Sequence, residues 1–340
     1  MLIVRSVREN DLDSLFDLIQ KSEFGLTTLK ISKSELESRI ERSLFAFGKK
    51  DARPQGQPYV FVMEDLSNGK LVGTCAIYSK TGGFEPLYSY EIKKSIHSSK
   101  ELDVHKEIDT LHLKAQHDGP TEVGSLFLSP DYWGGGHGRL LSMSRFLFLA
   151  QFRERFEKKV IAEMRGVVDS NGISPLWSAL GSYFFQMGFP KAETLSTQSK
   201  KIIGDLMPKH PIYIPLLPKE AQEVIGKVHS NTEPALAMLL KEGFENRGLV
   251  DLFDGGPTLE CELENIRAVR ESISGTVGQI VESVEGGELQ ILSNSQLDFR
   301  AGLGEILWDG DTATIDQNSA LRLELKHGDS IGSVSPKPSG

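Results

Sequence analysis

The segment SLFLSPDYWGGGHGRLLSMSRF, residues 125–146, joins a strand, a glycine-rich turn and a long helix. The strand ends at Leu128, and the helix is predicted from about Gly136 to Glu157. Main-chain N–H groups left unpaired at a helix start point outward with the positive end of the helix dipole, and glycines let phosphate oxygens approach closely. The order therefore predicts a pyrophosphate site, although such a turn also serves as a plain surface connection.

Two other phosphate-binding motifs fit this spacing less well. A Walker loop needs Lys and then Ser or Thr after the last glycine, whereas Gly138 is followed by Arg139 and Leu140. A dinucleotide fingerprint opens an alternating parallel sheet, whereas antiparallel-looking strands precede this unit. Both remain minor interpretations.

On the N-terminal side, the pattern predicts a strand, two helices and a tight hairpin. Ser32 and Glu35 form a capping box at the second helix, and Asn68-Gly69 supplies the positive backbone angles of the hairpin turn. Residues 81–108 mix glycine, proline, aromatics and histidines, which is typical of an insertion or loop with limited structure. The predicted elements are Leu2–Ser6, Glu9–Lys21, Ser32–Gly48, Tyr59–Glu64 and Lys70–Tyr78.

On the C-terminal side, residues 122–164 read as a strand–helix–strand unit. Short β-leaning runs separated by glycines dominate residues 273–335. We therefore expect an α/β (α+β) fold with a mixed central sheet flanked by helices. Residues 1–265 would form the core, and residues 266–340 would form a small β-rich C-terminal part.

Composition narrows the functional classes. The chain has 340 residues, a formal charge of -9, 39% hydrophobic and 25% charged residues, and two distant cysteines. The negative charge argues against nucleic-acid binding, and no apolar run is long enough for a signal peptide or membrane span. The two isolated cysteines predict no disulfide, which fits a cytoplasmic protein. Neither they nor the scattered histidines have the spacing of metal ligands, so no metal site is predicted.

The Gly136-x-Gly138 turn after a strand resembles the phosphate-binding turn of the GNAT superfamily of acyl-CoA N-acyltransferases. That pattern usually begins with Gln or Arg, where this chain has Trp133. Longer segments are similar to bacterial arginine N-succinyltransferases over residues 1 to about 265. They are ERSLFAF, VFVMED, HSSKELDV, VIAEMRGVVD, LMPKHPIYIPLL, GKVHSNTEPA and DLFDGGPTLEC.

The resemblance implies transfer of succinyl from succinyl-CoA to the α-amino group of L-arginine. By match, Leu126 contacts succinyl-CoA and His229 donates a proton. Leu128 is expected to extend the strand edge on which Leu126 lies. Histidine can donate a proton near neutral pH, but His229 could also simply cap a helix or face solvent. Gly25–Thr27 match a family segment that closes over substrate, or they end a helix. Residues 254–257 are read as a turn.

Three charged residues are candidate substrate contacts. Glu163 and Arg165 flank Met164 at a strand end, so both should point to one face of the sheet. Glu163 could hold the cationic acceptor and Arg165 the succinyl carboxylate, yet an internal ion pair explains them equally well. Arg145, within the long helix, has a weaker claim to the carboxylate.

Alternative functions remain open at this point. The same fold could prefer ornithine or another basic amine. A non-catalytic acyl-CoA-binding chain paired with a catalytic relative is a second class, which retention of His229 disfavours. For the enzyme we expect small-molecule substrates, with succinyl-CoA as co-substrate and no prosthetic group. We also expect a homo- or hetero-oligomer with a related chain.

Overall fold

The structure is a computed structural model that describes residues 1–21, 31–169, 171–189, 191–192 and 200–337. Fifteen strands are found in the described ranges. They are β1 Leu2–Ser6, β2 Pro58–Asp65, β3 Lys70–Tyr78, β4 Gly82–Ser99, β5 Val104–Asp118, β6 Thr121–Leu128, β7 Lys159–Glu163, β8 Ile212–Tyr213, β9 Glu245–Val250, β10 Pro257–Glu262, β11 Ile273–Val281, β12 Glu288–Ser293, β13 Arg300–Asp309, β14 Thr312–Asp316 and β15 Ser330–Val334.

Three helices frame the central sheet: α1 Leu12–Gln20, α2 Lys33–Gly48 and α3 His137–Gln151. Other helices lie outside it at Ser182–Phe185, Lys200–Leu206, Lys219–Val224, Glu233–Lys241, Arg267–Arg270 and Gln317–Leu323. Over the described ranges, none of the helices combines the length and apolarity needed to cross a bilayer.

The central sheet runs β1-β2-β3-β6-β7-β10-β9-β4-β5-β8. Neighbouring strands in it are antiparallel except β6 and β7, which are parallel and are joined by α3. In β2, Val60 and Val62 pack with α1 and α2, whereas Phe61 packs with α3. Helices thus cover both faces, and the expected mixed sheet flanked by helices is confirmed.

Local signals place several of these elements correctly. Ser32 Oγ accepts from the Glu35 main-chain N–H at 3.3 Å, and the Glu35 carboxylate accepts from Ser32 N–H at 2.8 Å. This reciprocal pair is the predicted capping box. The hairpin of β2 and β3 also forms, with Gly69 at φ +69° in its turn. The long helix is shorter than predicted, because α3 ends at Gln151 and a separate turn, Arg153–Arg155, follows.

The expectation of limited structure over residues 81–108 is wrong. β4 and β5 form a long antiparallel hairpin in continuous register from Leu87 with Gln116 to Ser99 with Val104. The sheet continues on both sides of the hairpin near its base, where Tyr90 pairs with Val250 of β9 and Leu111 pairs with Ile212 of β8. The outer half is largely exposed on both faces, so it lacks the alternation of apolar and polar residues that marks a strand in sequence.

The C-terminal strands β11 to β15 close on themselves in the order β12-β15-β11-β14-β13, with β13 pairing back to β12. The region is β-rich as expected, but the helix Gln317–Leu323, capped by Asp316, was not foreseen. β13 also pairs with β1 through Ala301 with Val4, so barrel and central sheet are continuous. We propose that the boundary between the two parts lies near residue 266.

Candidate functional site

The parallel strands β6 and β7 diverge. Their pairing consists of Thr121 with Val160 and Glu122 with Ile161. Beyond these residues β6 continues along β3 to Leu128, while β7 continues along β10 to Glu163. The gap between them separates the facing edges of the two strands, and an extended ligand can pair with main-chain groups there.

A bulge in β6 lies at the mouth of this gap. Ser125 and Leu126 together oppose Cys75 in the register with β3, and Ser125 has φ +52°. A bulge re-aims the main chain and is frequent beside active sites. The Leu126 and Leu128 side chains are half-buried in the core on the α3 side, which anchors the strand and leaves its main chain to face the gap.

The turn between β6 and α3 has three successive left-handed residues. Gly134, Gly135 and Gly136 have φ of +89°, +57° and +80°, a conformation that side chains disfavour. A Cβ built at Gly136 meets nothing within 4 Å. Within the described chain, the N–H groups of Gly138 and Arg139 have no main-chain acceptor, whereas Leu140 N–H reaches Gly136 O at 2.9 Å. The helix start is therefore open and presents free donors, as a pyrophosphate site requires.

Trp133 replaces the usual Gln or Arg with a structural contact. Its indole Nε1–H donates to the Leu128 carbonyl at 3.0 Å, and the side chain is 67% exposed. The indole ties the glycine turn to the end of β6, and the cradle of main-chain N–H groups remains.

Charged residues follow the end of β7. Glu163 is exposed, whereas Met164 is buried with the α3-side core, so the two alternate across the sheet as predicted. Arg165 Nη1 lies 3.1 Å from Asp254 Oδ2, and its guanidinium carbon lies 5.1 Å from the centre of the Phe189 ring. Part of the guanidinium is therefore already used inside the protein.

Asp254 does more than complete a turn. It is 2% exposed, and it accepts from Gly166 N–H at 2.9 Å and Gly256 N–H at 2.8 Å in addition to pairing with Arg165. Burial, reinforced by the Asp251 carboxylate and opposed by Arg165, raises the pKa of Asp254 to about 7. The segment does contain a turn, as read from the sequence, but its acid is also buried against the residues that follow β7.

His229 lies directly beside the end of β7. Its main-chain N–H donates to the Arg165 carbonyl at 2.8 Å, and Val228 forms a bridge with Gly166. The ring Nδ1 accepts from the Asn231 main-chain N–H at 3.2 Å, so the neutral ring carries its proton on Nε2. The histidine is half-buried and caps the turn Ser230–Thr232. The cap occupies Nδ1 and leaves Nε2 as the ring nitrogen available to a substrate.

Arg145 lies on the sheet-facing side of α3 and is 3% exposed. Its nitrogens donate to Ser142 Oγ at 2.9 Å, to Ser142 O at 3.3 Å and to Gly124 O, at the bulge, at 3.4 Å. In the described ranges no Asp or Glu forms an ion pair with it. Burial lowers the pKa of its guanidinium, and a buried cation without a carboxylate favours a nearby anion.

The sequence of this chain matches a known protein family and several of its members. Residues 2–268 match the family described as "Arginine N-succinyltransferase beta subunit". The chain belongs to the arginine N-succinyltransferase family. "Arginine N-succinyltransferase" of Shigella dysenteriae serotype 1 (strain Sd197) is 46% identical over 292 residues, 85% of this chain and 83% of that protein. The protein of the same name from Escherichia coli O139:H28 shows the same identity and coverage.

A solved member has nearly the same structure throughout. "The structure of arginine/ornithine succinyltransferase subunit AI from Pseudomonas aeruginosa" superposes with a TM-score of 0.89 at 33% identity, covering 99% of each chain. The similarity therefore includes the C-terminal barrel, beyond the residues that match the family.

The fold brings most of the predicted residues of this family member to one region. The bulge at Leu126, the end of β7 at Glu163 and Arg165, and His229 border the divergence of β6 and β7. Gly136 and Gly138 lie at the turn that leaves β6, and Arg145 lies beneath the bulge. The prediction for Gly25–Thr27 falls outside the described residues.

Sequence reasoning missed two contributors to this site. Asp254 was read as part of a turn, and Asn231 was not singled out. The sequence does not reveal the partner of Asp254, because Gly166 lies 88 residues away. Asn231 contributes only its main-chain N–H, which has no side-chain signature.

Proposed function

We propose that this chain transfers a succinyl group from succinyl-CoA to the α-amino group of L-arginine, which yields N2-succinyl-L-arginine and coenzyme A. The observation that carries the proposal is the divergence of β6 and β7, which ends in an open glycine turn and has His229 tethered to its far edge. Membership of the family supports the choice of donor and acceptor.

The donor would bind in the gap between the strands. The pyrophosphate would accept hydrogen bonds from the N–H groups of Gly138 and Arg139, with the α3 dipole adding to the attraction. The pantetheine would extend along β6 as an additional strand-like partner, which places the thioester near Leu126. Main-chain N–H groups at the bulge would then stabilise negative charge on the thioester oxygen.

The reaction needs one bond made and one bond broken. The neutral α-amine attacks the thioester carbon, the new C–N bond forms, and the C–S bond breaks when the tetrahedral intermediate collapses. His229 would first take up a proton from water, and in this imidazolium form it would give the Nε2 proton to the departing thiolate. The amine loses its proton to water, and a water also restores the proton on His229, so protons balance without a metal or prosthetic group.

The cationic acceptor and the anionic succinyl group need protein side chains of opposite charge. Glu163, exposed at the end of β7, would hold the ammonium or guanidinium of the acceptor. Arg145 would attract the succinyl carboxylate, because it is buried under the bulge and lacks an acidic ion-pair partner within the described ranges. Arg165 has a lesser share in binding that carboxylate, because one of its nitrogens already faces Asp254.

The decisive test of the reaction is an acceptor and donor panel with the purified single chain. Arginine, ornithine and lysine would each be offered with succinyl-CoA and with acetyl-CoA, and free thiol would be measured. We expect the highest kcat/KM for arginine with succinyl-CoA. A higher value for ornithine would move the acceptor to the alternative suggested by the "arginine/ornithine" neighbour, and no thiol release would favour a non-catalytic partner subunit.

The role of His229 has its own test. His229→Ala should lower kcat by roughly 100-fold or more while the dissociation constant of succinyl-CoA changes little, since a general acid acts only in the transition state. Comparable losses in both quantities would indicate a structural histidine.

Assembly and location complete the proposal. We propose that the chain forms a homo- or hetero-oligomer with a related chain, because the family is described as a beta subunit and the solved neighbour is titled a subunit. Light scattering of the purified chain measures this directly. Two free, buried cysteines, Cys75 and Cys261, fit a cytoplasmic setting.

A further inference from the structure

The loop that carries His229 is held at both ends by one buried junction. At its start, Gly226 N–H donates to the Gly255 carbonyl at 2.8 Å. At its end, His229 N–H donates to the Arg165 carbonyl at 2.8 Å. Both acceptors belong to segments that meet at Asp254, namely the turn after β9 and the residues that follow β7.

Asp254 joins these two segments by its side chain. Oδ2 accepts from Gly166 N–H at 2.9 Å and faces Arg165 Nη1 at 3.1 Å, whereas Oδ1 accepts from Gly256 N–H at 2.8 Å. In its ionised form, which prevails above the raised pKa of about 7, the Asp254 carboxylate accepts at both oxygens and satisfies all three donors at once. An amide in the same place would turn an NH₂ group toward one of them.

The junction has no room to absorb a displacement. A Cβ built at Gly166 would lie 2.5 Å from Asp254 O, and one built at Gly256 would lie 2.0 Å from Met164 O. Because the two main chains are in direct contact, a shift of the turn must move the residues after β7. Those residues set the position of His229 through the Arg165 carbonyl.

We propose that Asp254 is a positioning residue for His229. Its carboxylate fixes the main chain of Arg165 and Gly166, and this main chain fixes the histidine at the edge of the strand divergence. Asp254 does not touch the substrate. The proposal deepens the proposed function and rests on the role of His229 as proton donor.

The test is a double-mutant cycle on kcat with the full chain. Asp254→Asn should lower kcat by about 10- to 100-fold, because a misplacement of about 1 Å is costly to a catalytic group. The KM for succinyl-CoA should stay within about twofold, since the glycine turn is elsewhere. In the His229→Ala background, Asp254→Asn should cost less than about twofold, because the group that it positions is already gone.

A matched control separates positioning from general destabilisation. Asp316 is another carboxylate that accepts from main chain and side chain, with Ser319 N–H at 2.9 Å, but it caps a helix of the barrel. Asp316→Ala should lower the unfolding temperature without lowering kcat, because alanine cannot cap the helix. A kcat loss in this variant equal to that of Asp254→Asn would overturn the proposal.

The outcomes distinguish the positioning role of Asp254 from the proton-donor role of His229. An equal loss from Asp254→Asn in both backgrounds would overturn the positioning role alone. Wild-type kcat in His229→Ala would overturn the proton-donor role and the positioning role with it. Asp254→Ser is the second variant for the cycle; if neither Asp254 variant folds, the carboxylate serves the fold and the positioning role is overturned.

Discussion

Replacing Gly136 by valine tests where the nucleotide end of the donor binds. Gly136 has φ +80°, and a Cβ there meets nothing within 4 Å in the free protein. A side chain in this conformation costs roughly 1–2 kcal/mol of stability, and a β-branched one costs more. A branched side chain at the open face would also keep phosphate away from the Gly138 and Arg139 N–H groups.

The expected loss of affinity follows from those contacts. A hydrogen bond to a charged group contributes about 1.5–3 kcal/mol, so losing one weakens coenzyme A binding by about 10- to 150-fold. Gly286 provides the matched control, because its φ is +72° and a Cβ there also meets nothing within 4 Å, but it lies in a barrel turn. Gly286→Val should show the same order of backbone cost and unchanged affinity.

Calorimetric titration of coenzyme A into each folded variant measures the affinity, and thermal unfolding measures the loss of stability. If Gly136→Val binds coenzyme A as tightly as Gly286→Val and the unsubstituted protein, the pyrophosphate is bound elsewhere and the reasoning about the turn is refuted.

Three further changes address the substrates and the scaffold. Glu163→Gln should raise the KM for arginine by roughly tenfold or more with little change in succinyl-CoA binding, since it removes a charge-assisted contact; equal changes for both substrates would argue for a structural role. Arg145→Met should reduce the preference for succinyl-CoA over acetyl-CoA by roughly tenfold, measured as a ratio of kcat/KM values, and an unchanged ratio would place the carboxylate elsewhere. Ser32→Ala should lower the free energy of unfolding by about 1 kcal/mol in urea titrations at unchanged kcat, and an unchanged midpoint would mean the cap contributes nothing.

Elements whose chemistry is local were predictable from the sequence. The capping box at Ser32, the hairpin turn at Gly69 and the glycine turn before α3 each depend on a few adjacent residues, and each forms. The alternation of Glu163 and Met164 also follows from strand geometry alone. These are the parts of the fold that frame the strand divergence.

Elements that depend on distant partners were not predictable in this way. The hairpin of β4 and β5 is secured at its base by β9, about 160 residues along the chain from Tyr90 to Val250. Asp254 becomes buried only because Gly166 and Arg165 come against it. Arg145 has only a weak claim to the carboxylate from sequence, because most helix arginines are solvated, yet its helix face is covered by the sheet.

Strand β13, which is shared by the barrel and the central sheet, limits how far the chain can be shortened. The family match ends at residue 268, which invites a truncated enzyme. Ala301 pairs with both Val4 of β1 and Ser293 of β12. The centre of the Phe299 ring lies 5.2 Å from the centre of the Phe148 ring in the central core. Cutting the tail away would uncover the outer hydrogen-bonding edge of β1 and an apolar surface beside it, a template for strand-by-strand aggregation. The barrel thus protects the margin of the catalytic sheet.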